Sequence, residues 1–343
     1  MPGIKELKTR IKSIQSTRKI TRAMQMVSAA KMRKAQTAVT QSRTYAELAW
    51  ELIGSLSGVM PGDEEEVMAD KSARYGVGAD SIRLKEGKMV SSPTIEKLLK
   101  TNPEAAKIGV ILLTTNTGMV GGLNSNLINA VRKIEKENQS NKPAVEIVAY
   151  GRKGSQAMGR LGMQITADFV KQDKAISTEE IYPIAQLAAE MYLTGNFKKI
   201  YIAYNHFIST LSQKPVLKQL LPFENSTSQN NTNEPNPQIQ MTRMQDSGAS
   251  HPKPNTYNLE PIFEPSPKQI LKHLLPRILE SQIYVSVLES NASEHSARMV
   301  MMKNATESAG DLIADYTLTY NQLRQGKITT ELAEITAGRI ALE

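Results

Sequence analysis

Two glycine-rich turns are the stretches of this 343-residue chain whose residue types come closest to a ligand site. The first, at 115–122, joins a strand-like segment to a helix-like one, a position where backbone N–H groups often bind phosphate. It lacks the Gly-Lys-Ser/Thr of a P-loop and the glycine spacing of a dinucleotide fingerprint. The second, at 151–155, fails in the same way. Both patterns favour tight turns between a strand and a helix over nucleotide sites.

A Ser-Glu-His triplet at 293–295 contains the residue types of a catalytic triad. Successive helix residues point about 100° apart, so adjacent positions cannot form a triad with one another. The four histidines show no metal-ligand spacing, and the absence of cysteine excludes thiolate sites. The acidic run at 63–66 favours a solvated loop. We predict no catalytic residue, no metal ligand and no cofactor.

The elements that position these residues are dominated by a long helix at 265–343. Apolar residues recur there on a 3–4 spacing from Leu271 to Leu323, the period of a coiled coil. At 1.5 Å per residue this helix would reach roughly 110 Å, far beyond the width of a compact domain. We expect Pro276 to kink or delay its first turns. Such a helix needs a partner to bury its apolar stripe.

Residues 1–57 supply that partner as a second long helix, with neither glycine nor proline from Ile4 to Ile53. We expect Gly54-Ser55 to close it. Eleven basic residues face a single acidic one in residues 1–43, so this segment carries +10 and the remainder −2. Ile20, Met24 and Val27 run one residue out of the heptad frame of their neighbours, which predicts a local adjustment of the winding. The concentrated positive charge indicates an acidic partner as readily as a solvated face.

Between the helices, strand-like and helix-like segments alternate over residues 105–222, as in a parallel α/β domain. We predict strands at 107–113, 144–150, 165–170 and 199–207, an edge strand at 215–221, helices at 123–137 and 181–193, and a turn plus short helix at 151–161. Residues 58–104 read as an insertion, mostly loop, with one short helix at 94–100. Residues 223–264 have the polar composition of a disordered loop.

The predicted fold is α/β: a long antiparallel two-helix coiled coil plus a Rossmann-like domain with a mostly parallel sheet. The simplest topology sets Ser57 beside Ile270, which leaves about 19 residues, roughly 28 Å, of the C-terminal helix unpaired at its tip. No stretch reaches 18 consecutive apolar residues and the N-terminus has no signal-peptide pattern. We therefore expect a soluble intracellular protein able to sit on a membrane complex.

Three segments resemble the signatures of the F-type ATP synthase gamma subunits of bacterial type. Residues 20–34 (ITRAMQMVSAAKMRK) are similar to the N-terminal signature, and 293–302 and 328–335 to the C-terminal ones. The turn around Gly121-Gly122 resembles the first strand–helix turn of the family. Three substitutions, one of them a residue pair, depart from the family pattern: Asn116-Thr117 replaces an Asp-Arg or Asp-Lys pair, Met301 an alanine, and Arg339 a small apolar residue.

The resemblance implies a non-catalytic rotor shaft, present once per complex, inside a hexamer of alpha and beta subunits. Its foot would bind the epsilon subunit and rest on the c-ring, at the cytoplasmic face of the inner (plasma) membrane. Proton-driven rotation of the ring would be coupled through the shaft to ATP synthesis or hydrolysis at the hexamer.

The resemblance also implies which residues contact the hexamer. Met24 and Arg298 would lie in a basic collar facing acidic loops of the beta subunits, together with Arg18, Lys19, Arg22, Lys31 and Lys34. Gln325, Thr329, Glu331 and Glu334 would form an upper contact. Two alternatives from other classes remain at this point: a basic coiled-coil protein that binds nucleic acid through phosphates, and an enzyme with a nucleotide site at a glycine turn.

Overall fold

The computed structural model describes residues 3–58, 98–99, 101–103, 105, 107–137, 145–172, 178–223 and 267–342. The acidic run at 63–66, most of the expected short helix at 94–100 and all of the polar loop at 223–264 except Phe223 therefore lie outside the described residues. The division of the chain into five segments stays a prediction.

Helices and strands alternate between two long terminal helices. The helices are α1 (Ile4–Gly58), α2 (Leu123–Glu137), α3 (Arg152–Arg160), α4 (Thr178–Leu193) and α5 (Pro267–Leu342). The strands are β1 (Lys107–Leu113), β2 (Val145–Tyr150), β3 (Gln164–Phe169), β4 (Phe197–Phe207) and β5 (Gln213–Leu221). Every predicted strand and helix of the middle region is confirmed, with boundaries that differ by three residues at most.

The five strands form one sheet in the order β3-β2-β1-β4-β5. Strands β1 to β4 are parallel, with Val110 opposite Ile147 in the β1–β2 pair. Strand β5 returns antiparallel to β4, with Ala203 opposite Leu217, and lies at the edge as expected. Every residue of β1 and β2 except Lys107 is buried, because helices cover both faces of the sheet.

Each face of the sheet has its own hydrophobic core. On one face, α2 and α3 contribute Leu127, Val131 and Met158 to a cluster beneath β1 and β2. On the other face, α4 packs together with the first turns of α5, which contribute residues such as Leu275 and Ile283. Helix α5 is therefore part of the core of the sheet domain before it becomes part of the shaft.

The two long helices pack antiparallel, as predicted. Arg43 of α1 contacts Glu289 of α5, Thr21 contacts Thr306, and Arg18 lies beside Gly310, so residue numbers rise along one helix as they fall along the other. Beyond Met299 the least exposed residues of α5 are those of the predicted 3–4 series, which confirms the seam. We call the packed parts of α1 and α5 the shaft.

The expected adjustment of the winding in α1 is wrong. The least exposed positions continue the 3–4 spacing without a slip through Thr21, Gln25, Ser28 and Met32, although three of these are polar. Ile20, Met24 and Val27 remain 58%, 38% and 55% exposed. The frame persists because its polar members are accommodated: the Thr21 and Thr306 hydroxyls lie 2.8 Å apart, and Arg18 crosses the seam over Gly310, which has no side chain.

The ends of the long helices also differ from expectation. Helix α1 continues through Gly54-Ser55 to Gly58, and α5 begins at Pro267 and runs through Pro276, so the proline does not delay it. Whether Pro276 kinks the helix stays a prediction. From Arg324 to Ile340 every residue of α5 is exposed, as expected for a segment beyond the end of α1. We call residues 324–342 the tip. No helix in the described ranges is long and apolar enough to cross a membrane.

Candidate functional site

The basic collar, Arg18, Lys19, Arg22, Lys31 and Lys34, consists of exposed side chains on α1. Within the described part of the chain, none of the five is in an ion pair; the pairs of α1 are Arg10–Glu6 and Arg43–Glu289. No carboxylate of the described residues therefore neutralises the positive charge of these five side chains at short range. Such a cluster attracts an acidic surface over roughly the 8–10 Å range of the Debye length at physiological salt.

An exposed apolar stripe runs through the collar. Ile20, Met24 and Val27 recur at helical spacing, and Met26 beside them is 61% exposed. Contiguous exposed apolar residues with a charged rim are typical of an interaction surface rather than of a free helix face. Sequence reasoning identified Met24 but assigned the stripe to the seam, because periodicity alone does not reveal that polar residues hold the seam.

Arg298 lies where the shaft leaves the sheet domain, and it is engaged within the chain. Its guanidinium donates to Glu294 Oε1 and to Thr117 Oγ1, both at 2.9 Å. Glu294 is also paired with Lys171, which follows β3. Burial alone would raise the pKa of Glu294, but the charges and hydrogen bonds of Lys171 and Arg298 hold it below its ordinary value. We call these residues the junction cluster; it ties α5 to the loops at the carboxyl ends of β1 and β3.

The substituted turn has a structural role in this cluster. Asn116 Nδ2 donates to the Lys171 carbonyl at 2.5 Å, and Asn116 Oδ1 accepts from the Arg152 amide. The Thr117 hydroxyl accepts a hydrogen bond from the Arg298 guanidinium, as described above. The pair that departs from the family pattern therefore holds the domain loops against α5.

A second ionic contact joins α1, α5 and β4 where the shaft meets the sheet. Glu289 of α5 accepts from Arg43 of α1 at 2.7 Å and contacts His206 of β4 at 2.5 Å. Burial opposes the ionisation of Glu289, but these two neighbours lower its pKa overall. Burial, together with the charge of Glu289, raises the pKa of neighbouring Tyr204. The shaft and the sheet are thereby fixed to each other through one buried carboxylate.

The Ser-Glu-His triplet is divided among three surroundings, as helix geometry requires. Ser293 Oγ donates to the Asn205 carbonyl at 2.8 Å, and Glu294 belongs to the junction cluster. His295 is largely buried, with Nδ1 unpartnered in the described structure. Burial lowers the pKa of His295 to about 4, with smaller contributions from Lys171, Arg298 and Lys31. No group of metal-ligating side chains occurs in the described ranges.

The second glycine turn is a tight connection, as predicted. Gly151 has φ +112°, and a Cβ placed there would lie 2.3 Å from the Thr114 carbonyl oxygen. The Thr114 hydroxyl donates to the Gly151 carbonyl and accepts from the Gly154 amide at 2.9 Å. The Thr114 hydroxyl is therefore already bound to the Gly154 amide, one of the backbone N–H groups at the start of α3.

In the glycine-rich turn at 115–122, Asn124 accepts a hydrogen bond from the Thr115 amide and donates one to the Thr115 hydroxyl.

The four residues predicted for the upper contact all lie exposed in the tip. Thr329 donates to the Gln325 carbonyl one turn earlier, and Glu331 is 3.6 Å from Lys327. Ile328, Leu332 and Ile335 lie on one side of the same helix, between 48% and 70% exposed. An apolar stripe on an unpaired helix indicates a surface that packs against another molecule.

Comparisons with known proteins point to a single family. A family model described as ATP synthase matches residues 3–342. The ATP synthase gamma chains of Haemophilus influenzae (strain PittEE) and Roseiflexus castenholzii are each 34% identical over 342 residues, covering this whole chain and 100% and 99% of those proteins.

Solved structures share the fold. A chain of the Euglena gracilis mitochondrial ATP synthase OSCP/F1/c-ring structure has a TM-score of 0.59 at 18% identity, over 99% of this chain and 94% of that one. A chain of the Tetrahymena thermophila mitochondrial ATP synthase central stalk/c-ring structure has a TM-score of 0.52 at 19% identity, over 83% and 99%.

Proposed function

Because this chain belongs to the ATP synthase gamma chain family, we propose that it is the central rotor shaft of an F-type ATP synthase. It couples rotation of the membrane c-ring to ATP synthesis or hydrolysis at a hexamer of alpha and beta subunits. The observation that carries this proposal is the full-length similarity to gamma chains, together with a shaft whose tip projects beyond its partner helix. The nucleic-acid alternative receives no support from these relatives.

The collar and its apolar stripe form the mid-shaft contact with the beta subunits. Exposed charges without fixed partners attract acidic loops while leaving the shaft able to turn, since buried fixed pairs would hold one position. Ile20, Met24 and Val27 add an exposed apolar surface along the same stretch of α1. Arg298 contributes to this contact from its place in the junction cluster, which also holds α5 to the sheet domain.

The tip forms the upper contact. Gln325, Thr329, Glu331 and Glu334 are exposed there, next to the apolar stripe of Ile328, Leu332 and Ile335. The sheet domain is the foot, which meets the epsilon subunit and the c-ring. Two packed helices joined to this foot by buried carboxylates transmit torque as one body.

The chain acts without catalytic residues of its own and without a cofactor, as one copy per complex. The nucleotide sites belong to the alpha and beta subunits. We place the assembled complex at the cytoplasmic face of the inner membrane, where this chain is peripheral. Copurification of a tagged chain with ATPase alpha and beta subunits in high salt tests the assignment, and retention on DNA without those subunits would overturn it.

The collar is tested by changing its charges singly and together. Exposed ion pairs contribute about 0–1 kcal/mol each, so R18Q, K19Q, R22Q, K31Q or K34Q alone should leave coupling nearly unchanged. The five together should lower assembly, or the ratio of ATP-driven proton pumping to ATP hydrolysis in membranes, well beyond any single change.

A matched comparison variant neutralises five exposed cations of the sheet domain: Lys133, Lys153, Arg160, Lys198 and Lys214. We expect this variant to lower coupling less than the five-fold collar variant does, because its cations are spread over two helices and two strands instead of being clustered on one helix. Normal coupling in the five-fold collar variant, combined with loss of coupling in one single variant, would contradict a distributed collar and assign the contact to one specific ion pair.

A further inference from the structure

A cleft of about 230 Å³ lies where β1 and β4 end, between the start of α2, the β4–β5 turn and α5. In the strand order β3-β2-β1-β4-β5, the chain first progresses to one side of β1 and then to the other. The point between β1 and β4 is therefore the topological switch point of the sheet. Doubly wound sheets bind ligands at the carboxyl ends of the strands at such points.

The amide of Asn205 is unpaired in this cleft. Asn205 is only 2% exposed, and its backbone carbonyl accepts from Ser293, but its side chain makes no hydrogen bond with any described residue. It shares a strand face with Ala203 and Tyr201, which pack beneath α2, so it points to the side where the cleft opens. Buried polar side chains in proteins are normally hydrogen-bonded. The amide therefore has two donors and an acceptor available for a ligand.

The walls of the cleft are apolar and its mouth is polar. Leu211 at the β4–β5 turn is 80% exposed, and Met301 on α5 is 38% exposed. Gly121 keeps the wall beside Met301 open, because an added Cβ would lie 3.2 Å from the Met301 sulfur. Asn126 adds a second amide at the mouth. No described lining residue is ionisable, which selects against phosphates, carboxylates and amines.

We propose that this cleft binds an uncharged amide carried next to a compact apolar group. The amide pairs with Asn205, and the apolar group packs against Leu211 and Met301. The volume lies below the roughly 300–1,000 Å³ of sites for drug-sized ligands, so the ligand is of fragment size. The same chemistry is available from a free carboxamide or from a peptide group in a loop of a neighbouring subunit.

Benzamide is the probe, and the full-length chain with ¹³C-methyl methionine is the target. The Met301 methyl signal, assigned by its loss in M301L, should shift saturably as benzamide is added. N205L keeps the shape of the side chain and removes its polar atoms, and it should weaken binding about tenfold, the usual effect of losing one hydrogen bond. N304L changes an exposed amide on α5, the helix that carries Met301, but outside the cleft, and it should leave binding unchanged.

Toluene tests the same point without a substitution, so the proposal remains testable if N205L does not fold. Toluene retains the ring and lacks the amide, and it should bind at least about tenfold more weakly than benzamide. Equal binding of the two, or no saturable shift at Met301, would overturn the proposal.

Repeating the titration in the assembled ATP synthase distinguishes the two sources of the amide. A retained benzamide shift assigns the cleft to a free small ligand. A Met301 signal already displaced, and insensitive to benzamide, assigns it to a peptide amide of another subunit. Because binding is measured in the chain itself, failure of this proposal leaves the rotor function intact, and failure of copurification leaves the cleft intact.

Discussion

At the scale of single residues, two half-buried polar side chains of α5 are incompletely hydrogen-bonded. Asn291 and His295 are one turn apart, and Asn291 Oδ1 and His295 Nδ1 are both buried without a hydrogen-bond partner in the described structure. An unpartnered buried polar atom costs about 1–3 kcal/mol. Lys31 on α1, Lys171, and Arg298 on α5 disfavour a charge on His295, whereas Glu294 favours it. These two positions of α5 are therefore not optimised for stability.

Leucine at His295 should stabilise the shaft, and more so at lower pH. The folded-state pKa is about 4, below the ordinary 6.5, so the unfolded chain binds the proton more tightly. Stability is therefore lost as pH falls from about 6.5 towards 4, by roughly 1–2 kcal/mol at pH 5. Urea unfolding of wild type and H295L at pH 7 and pH 5 measures the difference. N291L is the control, and its gain should not change with pH; an equal pH dependence in both variants would contradict the assignment to His295.

Gly151 is a second residue at which a single added atom, a Cβ, should strongly lower the stability of the fold. Alanine there would place Cβ 2.3 Å from the Thr114 carbonyl oxygen at a φ of +112°. We expect G151A to lose more than about 2 kcal/mol of unfolding free energy, because both the clash and the backbone strain must be relieved. G159A in the neighbouring helix, where an added Cβ meets nothing within 4 Å, should be neutral or slightly stabilising. Thermal unfolding of the two variants provides the comparison.

At the scale of elements, α1 presents two apolar stripes on different faces. One stripe, with Leu7, Met32 and Val39, is buried against α5. The other, with Ile20, Met24 and Val27, is exposed at the height of the collar. A helix of this kind stabilises its own chain with one face and leaves the other for an external partner.

Truncating a methionine on each stripe should separate these two roles. M32A removes a side chain that is 6% exposed and should cost about 2–4 kcal/mol of unfolding free energy. M24A should cost less than about 0.5 kcal/mol in the isolated chain, as for most surface changes, but should weaken copurification with the beta subunit. If M24A destabilised the isolated chain as much as M32A, Met24 would have to belong to the seam.

At the scale of the whole molecule, α5 belongs to two packing units in succession. Its first turns complete the core of the sheet domain, its middle part pairs with α1, and its tip stands alone. A helix of 76 residues spans roughly 114 Å, so these three surroundings lie along one continuous helix. The junction cluster and the Arg43–Glu289–His206 contact fix the change from one unit to the next.

Truncation of the chain after Glu334 should therefore reduce coupling less than the five-fold collar variant does. The removed residues lie beyond the two-helix part, which remains able to transmit force, and the four polar tip residues are retained. Proton pumping divided by ATP hydrolysis in membranes is the measurement. Complete loss of coupling in the truncated variant, with normal assembly, would place the essential contact in the last residues of the tip.

The sequence alone determined the element order and the pairing of the long helices. A 3.5-residue period identified α5, and short apolar runs alternating with helix-like segments identified the strands, because both patterns are local. The +10 charge of residues 1–43 identified the basic face in the same way. The three signature segments identified the family.

Tertiary structure decided which residues the helices leave exposed. Heptad counting placed Ile20, Met24 and Val27 in the seam, because apolar residues usually fill it. The register between α1 and α5 instead sets Arg18 beside Gly310 and Thr21 beside Thr306. The polar positions of α1 therefore face α5, and Ile20, Met24 and Val27 face solvent. The junction cluster and the Asn205 cleft join residues that are far apart in sequence. No local pattern encodes such contacts, because they depend on how α5 crosses the ends of the strands.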